Sequence, residues 1–267
     1  MDNFKSRGYK GPIDLLDNSS IDELLKRCSS YPEKLLPWLK GRHSMEPVMC
    51  DLASHPVIID ELSKILGDDI ILWSSQIIEI EPNNILHWHI DEEMSRWPGV
   101  TVMIGMKNMY GTPLKLISGS HRIDTSAQVL KTLHYNDDEK VNKEAKNYNP
   151  ECELINVGIK EGQFIVYNGL IWHAAQNLTS LKSTAIIFQY TTPNHKVFIP
   201  HNYQNPNMQY SLLQPDCLLV KGKDNYKHNR IIDKSYAGSW KSLIKTFLVH
   251  LPNRMLKRDC FKKINLH

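Results

Sequence analysis

The spacing of hydrophobic positions along the chain changes near residue 70. Before that point apolar residues recur at helical intervals. A capping-box pattern, Ser20-Ile21-Asp22-Glu23, begins one segment, and Pro56 and Gly67 bound another. A shorter helix is predicted over residues 34–40. The pattern therefore predicts a helical N-terminal region over residues 1–69.

From Ile70 onward the chain consists of short segments rich in β-branched residues, separated by Pro, Asn and Gly. Strands are predicted over residues 70–73, 76–81, 85–90, 100–106, 114–117, 153–157, 163–167, 171–176 and 184–191. The interval 123–150 is polar and weakly patterned, and we interpret it as an insertion that carries a short helix. Helices followed by many short strands favour a mainly β fold with flanking helices, in a jelly-roll arrangement.

The region after the last predicted strand divides into two segments. Residues 193–216 are rich in Asn, Gln, Tyr and Pro and are expected to be irregular, whereas residues 239–263 are basic and helical in pattern. A helix with a solvated cationic face is the default interpretation of the second segment, and contact with a membrane surface or with a partner is the alternative. We predict a single domain over residues 1–267, with a helical N-terminal region (residues 1–69), a β core (residues 70–192) containing the insertion 123–150, and a C-terminal region (residues 193–267).

Composition narrows the class of protein. Hydrophobic residues make up 41% and charged residues 23% of the 267 residues, as in ordinary soluble globular proteins, and a net charge of +3 does not indicate a nucleic-acid binder. The five cysteines are scattered, which argues against a disulfide framework and indicates a reducing cytoplasm. No apolar stretch suggests a signal peptide or approaches the roughly 20 residues that span a bilayer.

The candidate chemistry lies in one strand, where His87, His89 and Asp91 share a face. Residues two apart in a strand have Cα atoms about 6.6 Å apart, so either His87 and His89 or His89 and Asp91 can share a metal ion. The leading third ligand is His173, in a later apolar strand. Two imidazoles and a carboxylate on one side of a metal leave three positions open, as in non-haem Fe(II) oxygenases.

Four stretches between about His55 and Thr192 resemble the phytanoyl-CoA dioxygenase family. They are the segment from His55-Pro56 to Leu66-Gly67, the motif Trp88-His89-Ile90-Asp91, the segment from Gly111-Thr112-Pro113-Leu114 to the turn Ser118-Gly119-Ser120-His121-Arg122, and the segment from Gly162-Gln163-Phe164 through Trp172-His173 to Asn177-Leu178-Thr179.

The resemblance implies a double-stranded β-helix of the cupin-like kind. It also implies that His89, Asp91 and His173 bind Fe(II), with His87 as a neighbour. The implied reaction consumes 2-oxoglutarate and dioxygen, hydroxylates a small-molecule substrate, and releases succinate and carbon dioxide.

One departure from the family pattern concerns the co-substrate. The family usually binds the distal carboxylate of 2-oxoglutarate with an arginine, whose fork grips a carboxylate with two hydrogen bonds. Ser183 stands at that position, and Lys182 is the neighbouring cation. Either Lys182, with Ser183, binds the distal carboxylate by a one-residue shift, or the co-substrate pocket is altered. We expect Gln76 to lie near the other end of 2-oxoglutarate.

Two other interpretations stay open at this point. A cupin-like isomerase or binding module would hold Zn, Mn or Ni through the same three residues without redox chemistry, and the missing arginine favours it. A catalytically inactive scaffold is the other, although the complete ligand set argues against it. The many Asn, Gln, Tyr and His residues in the intervals 123–150 and 193–216 favour a polar small-molecule substrate. The oligomeric state has no signal in the sequence.

Overall fold

The structure, a computed structural model, describes residues 3–28, 36, 40–91, 97–124, 137–198 and 214–244. Two antiparallel sheets dominate it. Their strands are β1 (Tyr9–Asp14), β2 (Ile70–Ile80), β3 (Ile85–His89), β4 (Val100–Lys107), β5 (Leu114–Ser118), β6 (Glu153–Val157), β7 (Gln163–Asn168), β8 (Trp172–Gln176), β9 (Ser183–Thr191), β10 (Asp216–Lys221) and β11 (Arg230–Ile232).

The larger sheet has the strand order β1-β7-β4-β9-β2-β10-β11, and the smaller sheet has the order β3-β8-β5-β6. Within the larger sheet only β10 and β11 pair in parallel. Consecutive strands from β2 to β9 alternate between the two sheets, except that β5 and β6 are neighbours in the smaller sheet, and this is the topology of the double-stranded β-helix. The predicted fold, mainly β with flanking helices, is therefore confirmed.

Five α-helices with both ends in the described ranges flank the sheets: α1 (Asn3–Arg7), α2 (Asn18–Cys28), α3 (Pro47–Ala53), α4 (Pro56–Leu66) and α5 (Asp138–Tyr148). Pro47 and Pro56 stand at the first positions of α3 and α4, where a missing backbone N–H costs nothing. A search of the described helices finds none with the length and hydrophobicity needed to cross a membrane.

Side chains on β4 and β9 alternate between two hydrophobic cores. One set, which includes Val102, Ile186 and Phe188, packs beneath α2, α3 and α4 on the outer face of the larger sheet. The other set, which includes Met103 and Ile187, fills the space between the two sheets. Successive residues of a strand point to opposite faces. A polar residue of β4 or β9 therefore faces the space between the sheets if it is an even number of positions from Met103 or Ile187.

Helix α5 covers the outer face of the smaller sheet. Val141 and Ala145 pack against Trp88 there. The helix is fixed by its first residue, Asp138, whose carboxylate accepts hydrogen bonds from Trp88 Nε1 at 3.0 Å and from Lys115 Nζ at 2.7 Å. The expectation of a short helix within the insertion is thus confirmed, whereas residues 125–136 of the insertion lie outside the described residues.

The prediction of a wholly helical N-terminal region is wrong at one element. Strand β1 lies within residues 1–69 and pairs with β7, whose residues come about 150 positions later. Gly11 and Pro12 interrupt its sequence, so a local pattern does not show it. The strands predicted over 70–73 and 76–81 are a single strand, β2, with a bulge between Leu72 and Ser74.

The N-terminal and C-terminal regions both contribute strands to the larger sheet, and the single domain over residues 1–267 stays a prediction. Residues 240–244 are helical, as the C-terminal pattern predicts, and the rest of the basic segment to residue 263 lies outside the described residues. The helix predicted over residues 34–40 also falls almost entirely outside them.

Candidate metal centre

Strands β3 and β8 bring the three candidate ligands together. His89 ends β3 directly opposite His173 of β8, and Asp91 follows two residues after His89. The two imidazole centroids are 4.1 Å apart, and one ligand atom from each of His89, Asp91 and His173 lies within 4.8 Å of the others. Among the described residues, this is the group of His, Cys, Asp and Glu side chains that could hold a metal ion.

Backbone carbonyls orient both imidazoles. The Nδ1 atom of His89 lies 2.6 Å from the carbonyl oxygen of His87, and Nδ1 of His173 lies 2.9 Å from that of Ile171. A carbonyl oxygen only accepts hydrogen bonds, so each Nδ1 carries the proton and each Nε2 keeps its lone pair for a metal. The tautomers required for two nitrogen ligands are therefore fixed by the fold.

Asp91 is held by two hydrogen bonds. Its backbone N–H donates to the carbonyl of Gly169 at 2.9 Å, and one carboxylate oxygen, Oδ2, accepts from the Thr101 hydroxyl at 2.6 Å. Thr101 belongs to β4 of the larger sheet, so the carboxylate bridges the two sheets. The second carboxylate oxygen is left for a metal ion.

The charges of the three groups suit a cation. Burial would raise the pKa of Asp91, but the positive charges of His173 and Lys40 and the Thr101 hydroxyl together lower it below its ordinary value. Burial, together with the neighbouring charge of His89, lowers the pKa of His173 to about 4. His173 is therefore neutral near pH 7, and Lys40 is the cation that stabilises the Asp91 carboxylate at that pH.

Lys40 is a buried lysine beside the centre. Only 6% of its surface is exposed, and its ammonium lies 5.9 Å from the ring centroid of Trp73. Its backbone carbonyl accepts the N–H of Ser75 at 2.8 Å, next to a parallel bridge between Gly41 and Ser75. The chain is thereby fixed alongside β2, and the ammonium affects the pKa values of both Asp91 and His173.

Two further contacts position His173. The ring of Tyr167 packs against its imidazole with centroids 5.0 Å apart, and burial together with the Asp91 charge raises the pKa of Tyr167 well above 10. Ser120, in the Ser-Gly-Ser-His turn, accepts the backbone N–H of Trp172 at 2.8 Å and donates to the carbonyl of Ile117 at 2.7 Å. That turn therefore fixes the start of β8, the strand that carries His173.

The predicted co-substrate residues divide between the two faces of the larger sheet. Gln76 and Ser183 share the inner face, because they pair with Ile187 and Ile80 respectively, and Ser183 Oγ lies 2.9 Å from the hydroxyl of Thr112. Lys182 points outward, is 42% exposed, and forms a 2.8 Å ion pair with Glu79. The structure does not bring Lys182 to the metal ligands, because alternation along the strand sends residues 182 and 183 to opposite faces.

Sequence reasoning missed Lys40, Thr101 and Tyr167. Lys40 has no local signal, because its proximity to the centre depends on a bridge to a residue 35 positions later. Thr101 and Tyr167 have a weak signal in the sequence. Each is a polar or amphipathic residue within an apolar strand, at a position that the strand alternation directs inward.

His87, expected beside the metal, is exposed, and its backbone carbonyl contacts Nδ1 of His89.

The donor set fits a divalent iron ion. Two neutral imidazole nitrogens and one carboxylate oxygen, all pre-oriented by second hydrogen bonds, are the ligands of the facial triad. The barrel and this triad together define the class of non-haem, 2-oxoglutarate-dependent oxygenases, and His89, Asp91 and His173 form a possible iron site of that class.

Comparison with known proteins agrees with this class. The phytanoyl-CoA dioxygenase (PhyH) family model matches residues 37–184, and the chain belongs to this family. The predictions of Fe(II) and 2-oxoglutarate as cofactors are confirmed at this level. No protein with curated annotation matches the sequence.

Several solved structures share the fold at low sequence identity. The non-haem monooxygenase ThoJ is 16% identical with a TM-score of 0.64, over 99% of this chain and 98% of that one. CytC3 with Fe(II) and α-ketoglutarate is 17% identical with a TM-score of 0.59, over 86% and 90%. SnoN, an α-ketoglutarate-dependent epimerase from nogalamycin biosynthesis, is 14% identical with a TM-score of 0.53, over 76% and 89%.

Proposed function

We propose that this protein is an Fe(II)/2-oxoglutarate-dependent dioxygenase that hydroxylates a polar small molecule and releases succinate and carbon dioxide. The observation that carries the proposal is the convergence of His89, Asp91 and His173 between the sheets, with both imidazole tautomers fixed for metal binding. Similar folds include a monooxygenase and an epimerase, so hydroxylation is the component of the proposal that needs a direct test.

The bound iron and 2-oxoglutarate supply the activation of dioxygen, and the protein supplies geometry and charge. Thr101 keeps one Asp91 oxygen occupied, so the carboxylate offers the metal its other oxygen. Tyr167 and the Ile171 carbonyl hold the His173 ring. His89, Asp91 and His173 would hold the metal through three ligands and would leave the rest of its coordination to 2-oxoglutarate and dioxygen.

Lys40 takes the role expected of Lys182. 2-Oxoglutarate brings two negative charges into the barrel, and a buried anion requires a compensating cation. Lys40 is buried and acts on both Asp91 and His173, whereas Lys182 is exposed and ion-paired with Glu79 on the outer face. We assign the ammonium of Lys40 to a carboxylate of 2-oxoglutarate, with Gln76 and Ser183 as neutral hydrogen-bonding residues of the same inner face.

Anaerobic titration with Fe(II) and 2-oxoglutarate tests the function directly. A weak visible charge-transfer band is expected in the wild type and is expected to disappear in His173→Ala. Succinate formation in air, measured with candidate polar substrates, then tests the hydroxylation. A protein that binds neither Fe(II) with 2-oxoglutarate nor turns the co-substrate over to succinate would contradict the proposal.

A matched pair of lysine variants tests the co-substrate contact. Lys40→Met keeps a long apolar stem but removes the charge, and we expect it to weaken 2-oxoglutarate binding at least tenfold while Fe(II) still binds. Lys182→Met makes the same change on the outer face and should leave the affinity unchanged. Equal effects of the two variants would refute the assignment of Lys40.

A non-redox, cupin-like metal protein is the second candidate, and Ser183 is the observation that favours it. At the position where the family usually has arginine, the structure shows a serine hydroxyl bonded to the Thr112 hydroxyl. Under this alternative, Zn(II), Mn(II) or Ni(II) would support activity and 2-oxoglutarate would not be consumed. A metal-replacement assay coupled to succinate detection separates the two.

The cytoplasm is the proposed location. All four cysteines in the described ranges, Cys28, Cys50, Cys152 and Cys217, are buried and form no disulfide, as suits a reducing compartment. No nucleic acid is proposed as a partner. Contact of the basic C-terminal segment with a membrane surface stays a prediction, since that segment lies mainly outside the described residues.

A further inference from the structure

Four polar side chains form a row across the inner face of the larger sheet, beside the metal centre. Thr101 of β4 lies opposite Tyr167 of β7 on one side and opposite Gln189 of β9 on the other, and Gln189 in turn lies opposite Ser74 of β2. Residues directly opposite in neighbouring strands point to the same face, with Cβ atoms about 5 Å apart. The row is therefore continuous.

The two halves of this row differ in their hydrogen bonding. Thr101 donates to Asp91, and Tyr167 is packed against His173 and linked to Thr101. Gln189 and Ser74 have no such partner. Both are fully buried, and neither amide atom of Gln189 nor Oγ of Ser74 has a hydrogen-bond partner in the portion of the chain that the structure describes.

The direction of Gln189 follows from its neighbours. Phe188 and Tyr190, on either side of it in β9, pack into the core beneath the helices, so Gln189 points the opposite way, between the sheets. Thr101, directly opposite, contacts the Asp91 carboxylate from the same face. The Gln189 amide is therefore one side chain away from a metal ligand, on the inner surface of the barrel.

Hydrogen-bonding capacity limits what can satisfy these atoms. A glutamine amide offers an acceptor oxygen next to a donor NH₂ group, and a serine hydroxyl can serve as either. A carboxylate would satisfy the donors but would face the amide oxygen with a negative charge, and a lone hydroxyl would satisfy one of the two amide atoms. A group with adjacent C=O and N–H satisfies both amide atoms at once.

We infer that Gln189 and Ser74 form the recognition site for a neutral amide or lactam group of the prime substrate, next to the iron. This inference rests on the proposed function, because it takes the prime substrate to lie beside the metal. It also agrees with the assignment of Lys40, since the buried cation is used by 2-oxoglutarate and the remaining polar pair carries no charge.

Three five-membered rings serve as probes. 2-Pyrrolidinone offers adjacent N–H and C=O, N-methyl-2-pyrrolidinone offers only C=O, and cyclopentanecarboxylate offers an anion. Binding is measured by saturation-transfer NMR on protein loaded with Zn(II) and 2-oxoglutarate, which requires no turnover. We expect 2-pyrrolidinone to bind best, and Gln189→Leu to weaken its binding at least fivefold.

Two further variants provide a matched control for this binding test and a replacement if the first variant does not fold. Gln163→Leu makes the same substitution at the opposite end of the barrel, where the amide is already bonded to Asp14, and should leave probe binding unchanged. Gln189→Met preserves the unbranched shape if Gln189→Leu fails to fold. Because both Gln189 variants remove a buried amide without partners, each is also expected to raise the melting temperature of the ligand-free protein.

The outcomes separate this inference from the proposed function. Equal binding of the three rings, or unchanged 2-pyrrolidinone binding in the Gln189 variants, overturns the amide site even if the iron centre binds 2-oxoglutarate. Selective binding of 2-pyrrolidinone that depends on Gln189 supports the site. If that selectivity is seen in a protein that forms no Fe(II)/2-oxoglutarate band, the proposed function fails while the site stands.

Discussion

Glu46 and Asp91 are two carboxyl groups whose surroundings shift their pKa values in opposite directions. Glu46, at the start of α3 on the outer side of the larger sheet, has a 2.6 Å ion pair with Arg42, yet burial raises its pKa to about 7. Asp91, between the sheets, has its pKa lowered below its ordinary value although burial acts on it in the opposite direction. A close cation alone therefore does not decide the charge of a buried carboxyl group.

Glu46 and Asp91 differ in the hydrogen bonding of one carboxylate oxygen and in the charged side chains around them. Oε2 of Glu46 has no hydrogen-bond partner among the described residues, whereas Oδ2 of Asp91 accepts from Thr101. Asp91 also faces two imidazoles whose Nε2 atoms are available, whereas the charged neighbour that lowers the pKa of Glu46 is Arg42. A perturbed pKa thus marks a functional site here only in combination with converging ligands, and the following substitutions test that distinction.

The largest effect is expected from removing the metal ligand itself. Asp91→Ala takes away one of three ligands and should abolish both Fe(II)-dependent stabilisation and turnover. Thermal unfolding with and without Fe(II), in the absence of oxygen, measures it, because an ion bound only by the folded state raises the melting temperature. Glu46→Ala is the comparison, and it should keep the Fe(II)-dependent increase even if it unfolds at a lower temperature.

A smaller loss is expected from the residue that orients Asp91. Thr101→Val keeps the shape of the side chain but removes the hydroxyl donor, and substitutions of this kind typically cost roughly 10- to 100-fold in metal affinity. Calorimetric titration with Fe(II) or Mn(II) measures the change. Thr184→Val, on the outer face of β9, is the control, and an equal loss there would mean that Thr101 acts only through folding.

The stability of the protein should depend on pH through Glu46. Its pKa in the folded protein, about 7, is raised above the ordinary 4.5, so the folded state binds this proton more tightly. The free energy of unfolding should therefore fall as the pH rises from about 4.5 to 7 and then level off. At about 1.4 kcal/mol per pKa unit the fall is on the order of 3 kcal/mol.

Glu46→Gln isolates this effect, because it keeps an acceptor for Arg42 and removes the titration. Urea unfolding at several pH values should show the variant gaining stability relative to the wild type between pH 5 and pH 8. Parallel pH profiles for the two proteins would show that Glu46 titrates normally.

The smallest effect is expected from Lys182, on the outer face of the larger sheet. Lys182→Ala removes an exposed ion pair with Glu79, and such pairs contribute little to stability. We expect the 2-oxoglutarate concentration for half-maximal turnover to change less than about twofold. A large increase would return Lys182 to the co-substrate site and would contradict the strand alternation described above.

Sequence patterns predicted the features of this molecule that depend on local spacing. The barrel strands, the helix Pro56–Leu66 and the histidine-carboxylate motif all have periodic or motif signals within a few residues. The ligand pair His89 and Asp91 was chosen over His87 and His89 because of the family resemblance, and the structure groups His89 with Asp91 and His173.

The remaining features depend on contacts between residues far apart in the chain. Lys40 reaches the centre through its bridge to β2, and the role of Gln189 emerges only when β2, β4 and β9 are placed side by side. The bulge between Leu72 and Ser74 also sets which β2 residues face inward. The sequence does contain one indication of Gln189, because it is a polar residue within the largely apolar strand Ser183–Thr191. The structure shows that this strand is buried throughout.

The position of Asp138 has a consequence for engineering. Its carboxylate holds Trp88, the residue before the candidate ligand His89, and Lys115 of the neighbouring β5, so α5 is fastened to the smaller sheet at its first residue. The Ser118–Arg122 turn acts in the same way on the second histidine, because the Ser120 hydroxyl accepts the backbone N–H of Trp172, the residue before His173. A redesign of the smaller sheet should therefore keep Asp138 and Ser120, since each of them holds the residue next to a candidate iron ligand.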